Sequence, residues 1–105
     1  MNANLVSNAF KTFLSEAPEQ SKIWMEAVMK LGSASALDSK TEELAYISVL
    51  AALRLESGLD FHVKQAKEHG ASRSEIISSV LVGLPAVGNH VIQSLPAALN
   101  AYDTE

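Results

Sequence analysis

The sequence predicts an all-α fold in which five to six helices pack as a bundle. Apolar residues recur at the i, i+3, i+4, i+7 spacing of amphipathic helices, and no segment alternates apolar and polar residues as strands do. Alanine occurs fifteen times, whereas aromatic residues make up only 6% of the chain. Small side chains of this kind let helices approach closely. We therefore expect helix-on-helix packing in a single domain over residues 1–105.

Two helices are predicted at the N-terminal end. The apolar stripe of the first helix comprises Val6, Phe10, Phe13 and Leu14. Pro18 suits the first turn of the second helix, where its missing N–H group leaves no hydrogen bond unmade, and Gly32 is expected to end that helix. The expected buried face of the second helix comprises Trp24, Ala27, Val28 and Leu31. The segment GSASALDS, residues 32–39, is predicted to be a linker.

The third and fourth helices are predicted on either side of a break at Ser57 and Gly58. Ser39 and Glu42 have the spacing of a capping box, and the helix that they open should run to about Leu55. This third helix is apolar on most sides, so we expect it to be covered all round. The fourth helix is expected to end at Gly70.

The C-terminal part predicts two more helices. Ser72 and Glu75 repeat the capping-box spacing and predict a fifth helix over residues 76–84. Pro85 is expected to start a sixth helix. Pro96 should kink or end that helix, because an interior proline removes a hydrogen bond and collides with the preceding turn.

Composition excludes several classes of function. The formal charge of −4 leaves no basic surface for nucleic acid or for an anionic membrane. The N-terminal residues do not resemble a signal peptide, and no run of 18 apolar residues is present, so we expect a cytoplasmic protein. A domain of 105 residues buries only part of its surface, so we also expect it to bind copies of itself. Neither a glycine-rich nucleotide loop nor a metal-binding histidine spacing occurs, so no cofactor and no metal is predicted.

Three segments carry a family resemblance. They are DSKTEEL before the alanine-rich third helix, FHVKQAKEHGAS with Glu75 just after it, and a small-residue stretch that ends in Gly-Leu-Pro. Residues 38–85 thereby resemble the carboxymuconolactone decarboxylase superfamily, which includes the alkyl hydroperoxide reductase D (AhpD) proteins. The resemblance implies an AhpD-like helical bundle assembled as a homotrimer or homohexamer.

The resemblance also selects candidate site residues. In the redox branch of the superfamily, a glutamate is followed after twelve residues by a cysteine, after three more by a second cysteine, and after four more by a histidine. Glu43 and His62 match the glutamate and the histidine, whereas Leu55 and Gly58 stand at the two cysteine positions. The chain contains no cysteine, so it has no thiolate to attack or resolve a disulfide. The peroxiredoxin or disulfide-reductase activity of that branch is therefore disfavoured.

Two functions of different kinds stay open. The first is an enzyme that binds a small carboxylate or lactone, with His62 as general base or acid and Glu43 orienting or protonating it. Arg54 is the better of the two arginines for holding a substrate carboxylate, and His90 is a second candidate for substrate binding. The alternative is a non-catalytic oligomeric binding protein, in which Leu55 fills the space of a lost active site.

The presence of each catalytic candidate can also be explained by a role in the fold, without any part in catalysis. His62 can be a buried histidine that bonds a backbone carbonyl, and Glu43 can be a carboxylate favoured by the dipole in the first turn of its helix. On one straight helix, Glu43 and Leu55 are about 18 Å apart at about 1.5 Å per residue. Cooperation between Glu43 and His62 would then need a bent helix, an oblique helix crossing, a bridging water or a neighbouring subunit.

Overall fold

The computed structural model describes residues 7–105, and within this range it is all-α, as the sequence predicts. The six helices of nine residues or more are α1 (Asn8–Glu16), α2 (Pro18–Ala34), α3 (Ser39–Ala52), α4 (Leu59–Glu68), α5 (Arg73–Leu81) and α8 (Leu95–Asp103). Two single-turn helices, α6 (Leu84–Val87) and α7 (Asn89–Ile92), precede α8. The chain forms two compact units, which divide between Asp38 and Ser39. Val6, assigned above to the first helix, lies outside the described residues.

The first unit is the hairpin of α1 and α2. Ser7 caps α1 by accepting a hydrogen bond of 3.1 Å from the Phe10 backbone N–H. α2 starts at Pro18 as predicted but continues past Gly32 to Ala34. The predicted buried face is wrong, since Trp24 is 56% exposed, Val28 42% and Leu31 70%. Among the described residues of this unit, α1 is the one helix next to α2, and a single neighbour covers only a stripe of a helix surface.

The second unit holds the hydrophobic core. α3 packs against α4 and α5, and both of these helices pack against α8. The core comprises Ile47, Leu50, Ala51, Leu59, Val63, Ala66, Ala71, Ile76, Val80, Val91, Ala98 and Ala101. The expectation that α3 is covered all round is wrong, because Tyr46 and Val49 on this helix are 48% and 54% exposed. One apolar side of α3 therefore forms the core, and another lies at the surface.

α3 ends earlier than predicted, at Ala52, because the chain leaves the helix through a Schellman motif. The Leu55 N–H donates to the Leu50 carbonyl at 2.9 Å, and the Arg54 N–H donates to the Ala51 carbonyl at 3.2 Å. This pattern requires a left-handed residue between the two helices, and Arg54 supplies it with φ 58°. Among residues 7–105, Arg54 is the one residue other than glycine with a positive φ.

α4 ends through the same motif. The Ala71 N–H donates to the Ala66 carbonyl at 2.9 Å, and the Gly70 N–H donates to the Lys67 carbonyl at 3.0 Å. Gly70 has φ 94°, a conformation that costs glycine little because it lacks a Cβ atom. The predicted stop at Gly70 is therefore confirmed, with glycine at the position that Arg54 occupies after α3.

The two predicted capping boxes have different outcomes. At α5 the Ser72 hydroxyl accepts from the Glu75 N–H at 3.1 Å, while the Glu75 carboxylate accepts from the Ser72 N–H at 2.8 Å. This box is confirmed, but α5 runs over Arg73–Leu81 rather than residues 76–84. At α3, Ser39 is the first helical residue instead of the residue before the helix.

The predicted sixth helix is divided into α6, α7 and α8. Gly88, with φ 63°, separates α6 from α7. Pro96 does not end a helix; it lies in the first turn of α8, where a missing N–H group costs no helical hydrogen bond. The other end of α8 is held by α4, whose Lys64 and Lys67 side chains donate to the carbonyls of Ala101 and Tyr102 at 2.7 Å each.

Candidate functional site

The candidate site lies on the helical hairpin formed by α3 and α4. Leu50 near the end of α3 lies against Gly58 just before α4, and Glu43 earlier on α3 meets His62 further along α4. The two helices therefore run antiparallel. Glu43 Oε2 and His62 Nδ1 are 2.8 Å apart, which is a direct hydrogen bond.

This contact removes the geometric objection raised from the sequence. The distance of about 18 Å refers to a single helix that continues past position 52. The chain instead reverses over residues 53–58, so that His62 returns alongside the middle of α3. Glu43 and His62 need neither a second subunit nor a bridging water to meet.

The structural explanations for the two residues are also changed. The partner of His62 Nδ1 is the Glu43 carboxylate and not a backbone carbonyl. α3 begins at Ser39, so Glu43 is its fifth residue and lies beyond the first turn, where the influence of the helix dipole is concentrated. The hydrogen bond to His62, rather than the dipole, is the interaction that engages Glu43.

Two aromatic rings contact the imidazole of His62. The Tyr46 ring lies over it with a centroid separation of 4.2 Å and an interplanar angle of 31°. The Phe61 ring meets it edge-on, at 5.1 Å and 90°. The sequence reasoning missed both residues. Its available signals were the position of Phe61 next to His62 and the i, i+3 spacing of Tyr46 from Glu43, which places the two on one helix face.

The pair is accessible from solvent, because the side chains of His62 and Glu43 are 24% and 22% exposed. A carboxylate only accepts hydrogen bonds, so the neutral imidazole carries its proton on Nδ1 and donates it to Glu43. Nε2 then keeps its lone pair. The arrangement can accept a proton at Nε2 and return it, while the carboxylate stabilises the imidazolium.

Arg54 and His90, the predicted substrate-binding residues, are not joined to this pair by any hydrogen bond or ring contact described for residues 7–105. Arg54 Nε and Nη2 both contact Glu56 Oε2, at 2.7 and 2.6 Å. Arg54 Nη1 donates to Gln93 Oε1 at 2.7 Å. His90 is an exposed residue of α7. Arg54 thus links the turn after α3 to the segment after α7.

Leu55 and Gly58, the residues at the two cysteine positions, both lie in the turn of the hairpin. Leu55 is 50% exposed, so it does not fill an enclosed space as expected from the sequence. Gly58 packs closely on the core. A Cβ atom at this position would lie 3.3 Å from Leu50 Cδ1. The two cysteine positions therefore carry no reactive group, and Gly58 has no empty sulfur-sized space beside Leu50.

Ser48, which is half-buried, and Ser79, which is buried, connect α3 to α5. The Ser48 hydroxyl donates to the Ser79 carbonyl at 2.7 Å, and the Ser79 hydroxyl donates to the Leu44 carbonyl. Because Leu44 follows Glu43 directly, these bonds fix the backbone from which the Glu43 side chain projects.

The described residues contain no group of three or more histidine, aspartate or glutamate side chains arranged to hold a metal ion. Among the same residues, no helix is both long enough and apolar enough to span a membrane.

The fold and the site define an all-α protein with a carboxylate–imidazole pair on an antiparallel helical hairpin. The sequence model of the Carboxymuconolactone decarboxylase family matches residues 18–101. The chain belongs to this family, and its all-α fold and lack of cysteine fit an AhpD-like member without redox cysteines. No curated protein and no solved structure shows significant similarity to the chain.

Proposed function

We propose that this protein is an acid–base member of its family that acts on a small carboxylate or lactone. In this proposal His62 Nε2 removes or returns a proton beside a carbonyl group, and Glu43 holds the ring and stabilises its protonated form. The observation that carries the proposal is the 2.8 Å hydrogen bond between Glu43 and His62 at a partly exposed position. No cofactor enters this chemistry.

The absence of cysteine supports acid–base chemistry over the redox chemistry of cysteine-containing relatives. Closing a dithiol cycle requires two thiols, and the chain has none. The hydrogen-bonded imidazole and carboxylate do not depend on sulfur. A peroxide-reduction assay coupled to lipoamide or thioredoxin should therefore give only the buffer rate, and turnover above that rate would contradict this reading.

Arg54 and His90 are the residues proposed to bind the substrate. Arg54 keeps two of its five N–H donors outside the contacts to Glu56 and Gln93, and these donors can hold a ligand carboxylate. His90 is accessible to a ligand. We also propose that the chain self-associates as a homotrimer or homohexamer, since apolar side chains such as Trp24 and Val49 are more than half exposed. The proposed location is the cytoplasm.

The test is proton exchange in D₂O. Each member of a panel of small lactones and carboxylates is incubated with the protein, and loss of the proton beside the carbonyl group is followed by ¹H NMR. His62→Ala should lower the rate about 10²- to 10⁴-fold, the usual contribution of a general acid–base group. His69→Ala is the matched control, because His69 is an exposed histidine at the end of the same helix.

A non-catalytic binding protein is the second candidate, and the engagement of Arg54 by Glu56 and Gln93 favours it. In this case a panel member raises the melting temperature without any proton exchange, and His62→Ala removes the rise. Exchange that is as fast in His62→Ala as in the wild type would reject the catalytic role of His62. Light scattering that gives a mass near 11.2 kDa would reject self-association.

A further inference from the structure

Tyr46 has no role in the chemistry described so far, yet its ring lies on His62. The two ring centroids are 4.2 Å apart, and the planes are inclined by 31°. We propose that Tyr46 is a positioning residue that holds the imidazole in the orientation in which Nδ1 meets Glu43 and Nε2 faces a ligand. The functional meaning of this role rests on the proposed acid–base function, but its principal test needs no substrate.

The single hydrogen bond to Glu43 leaves the imidazole free to turn. It fixes the position of Nδ1, but the ring plane can still rotate about the bond. The ring torsion of histidine is also broad, so the side chain can turn over and exchange Nδ1 with a carbon atom. With 24% of its side chain exposed, His62 is also not enclosed on all sides by protein. A second contact is needed to define the plane of the ring.

Tyr46 provides that contact from the same helix as Glu43. The two residues are separated by three positions on α3, so their side chains lie on one face and form two fixed points for a ring that belongs to α4. Phe61 cannot substitute for Tyr46 in this respect. It is the neighbour of His62 on α4 and moves with it, whereas Tyr46 holds His62 relative to Glu43.

The stacked contact persists when the imidazole takes up a proton. Aromatic faces attract both a neutral ring in offset packing and a cation placed above them. Tyr46 therefore holds His62 in both states of a proton-transfer cycle. Its own exposure of 48% argues against a purely structural role, because a ring that serves only the hydrophobic core is normally enclosed.

Val49 provides a matched control. It lies on the same helix as Tyr46, its exposure of 54% is similar, and it has no ring to contact His62. Substitution at either position removes apolar surface from α3 to a similar degree. An effect on His62 that appears with Tyr46 variants and not with a Val49 variant then reports the ring contact and not a general loosening of α3.

The experiment measures the state of His62 in the ligand-free protein by ¹H–¹⁵N NMR of its ring nitrogens. The wild type should give the signature of a neutral ring with its proton on Nδ1, because Nδ1 donates to Glu43. Tyr46→Leu should lower the ratio of this form to the other tautomer about two- to tenfold, the range expected for loss of one aromatic pair. Tyr46→Phe, which keeps the ring, and Val49→Ala should leave the ratio unchanged.

An unchanged ratio in Tyr46→Leu, or an equal change in Val49→Ala, would overturn the proposal. Should Tyr46→Leu fail to fold, Tyr46→Met replaces it in the same measurement with the same criteria. The NMR result is independent of the proposed function: absence of proton exchange on every ligand would reject the acid–base role and leave the tautomer shift standing. Where exchange occurs, Tyr46→Leu should lower kcat about two- to tenfold with a smaller change in KM.

Discussion

Replacing Arg54 by alanine and by glycine separates two opposing contributions at the end of α3. Both substitutions remove the guanidinium group and its contacts to Glu56 and Gln93. Alanine keeps a Cβ atom at φ 58°, and glycine does not. The difference in free energy of unfolding between the two variants is therefore the cost of placing a Cβ atom in the left-handed conformation of the Schellman motif, less the extra freedom of glycine in the unfolded chain.

Two opposing contributions set the size of this difference. A Cβ atom in this conformation costs about 1–2 kcal/mol. The extra freedom of glycine in the unfolded chain offsets about 0.5–1 kcal/mol of that cost. Arg54→Gly should therefore be about 0.5–1 kcal/mol more stable than Arg54→Ala. The side chains of Arg54 and Glu56 are both 31% exposed, so their ion pair and the bond to Gln93 together contribute about 1 kcal/mol. Wild type and Arg54→Gly should consequently be close in stability, with Arg54→Ala below both.

Gly70 supplies the reverse experiment in the same molecule. It occupies the equivalent position after α4 with φ 94°, and no atom lies within 4 Å of a Cβ atom built there. Gly70→Ala should therefore lower the free energy of unfolding by about 0.5–1 kcal/mol, which is the backbone strain less the freedom that glycine has in the unfolded chain. Urea titration followed by circular dichroism, with an unchanged m value, measures all three variants. The reasoning is refuted if Arg54→Ala is as stable as Arg54→Gly.

Two further predictions concern the second unit. Ile76→Ala should lower the free energy of unfolding by about 2–5 kcal/mol, because Ile76 is completely buried. As a control, Ile23→Ala in the first unit changes a residue that is 68% exposed, and its stability should stay within about 0.5 kcal/mol of wild type. Equal losses in urea titrations would contradict the assigned core. The pKa of Glu75 is lowered, most by its hydrogen bond from the Ser72 backbone N–H and next by Lys40. The ionised Glu75 therefore stabilises the fold fully above its ordinary pKa of 4.5, and this stabilisation is lost as the pH falls through the lowered pKa. Glu75→Gln should flatten the acid side of the stability profile, and Glu68→Gln, at an exposed glutamate of α4, should not; parallel profiles for wild type and Glu75→Gln would argue against this reading.

Features that depend only on residues close together in the sequence could be predicted from the sequence. The capping box of Ser72 and Glu75 forms because a serine and a glutamate three positions apart satisfy each other's backbone N–H groups wherever a helix starts. Gly70 ends α4 because glycine accepts a positive φ at little cost. In contrast, nothing local indicates that Arg54 takes the same conformation; its contact to Gln93 comes from a residue 39 positions away.

The candidate site divides in the same way. Glu43 and His62 were selected by their match to a family pattern. Their contact, however, depends on how α4 returns along α3, and therefore on the fact that α3 ends early, at Ala52. Tyr46 and Phe61 were missed because a ring contact depends on orientations that spacing does not record. Pro96 was misread for a related reason, since a proline favours a first helical turn as readily as it breaks an interior one.

By itself the sequence determined that the chain is helical and that it contains no cysteine, because helical periodicity and residue identity are properties of short segments and of composition. Only the tertiary structure decided which side of α3 lies at the surface and that Glu43 meets His62 directly. The reason is that a hydrogen bond between residues 19 positions apart depends on the angle and register of two helices. Those are set by core packing that involves α5 and α8 as well.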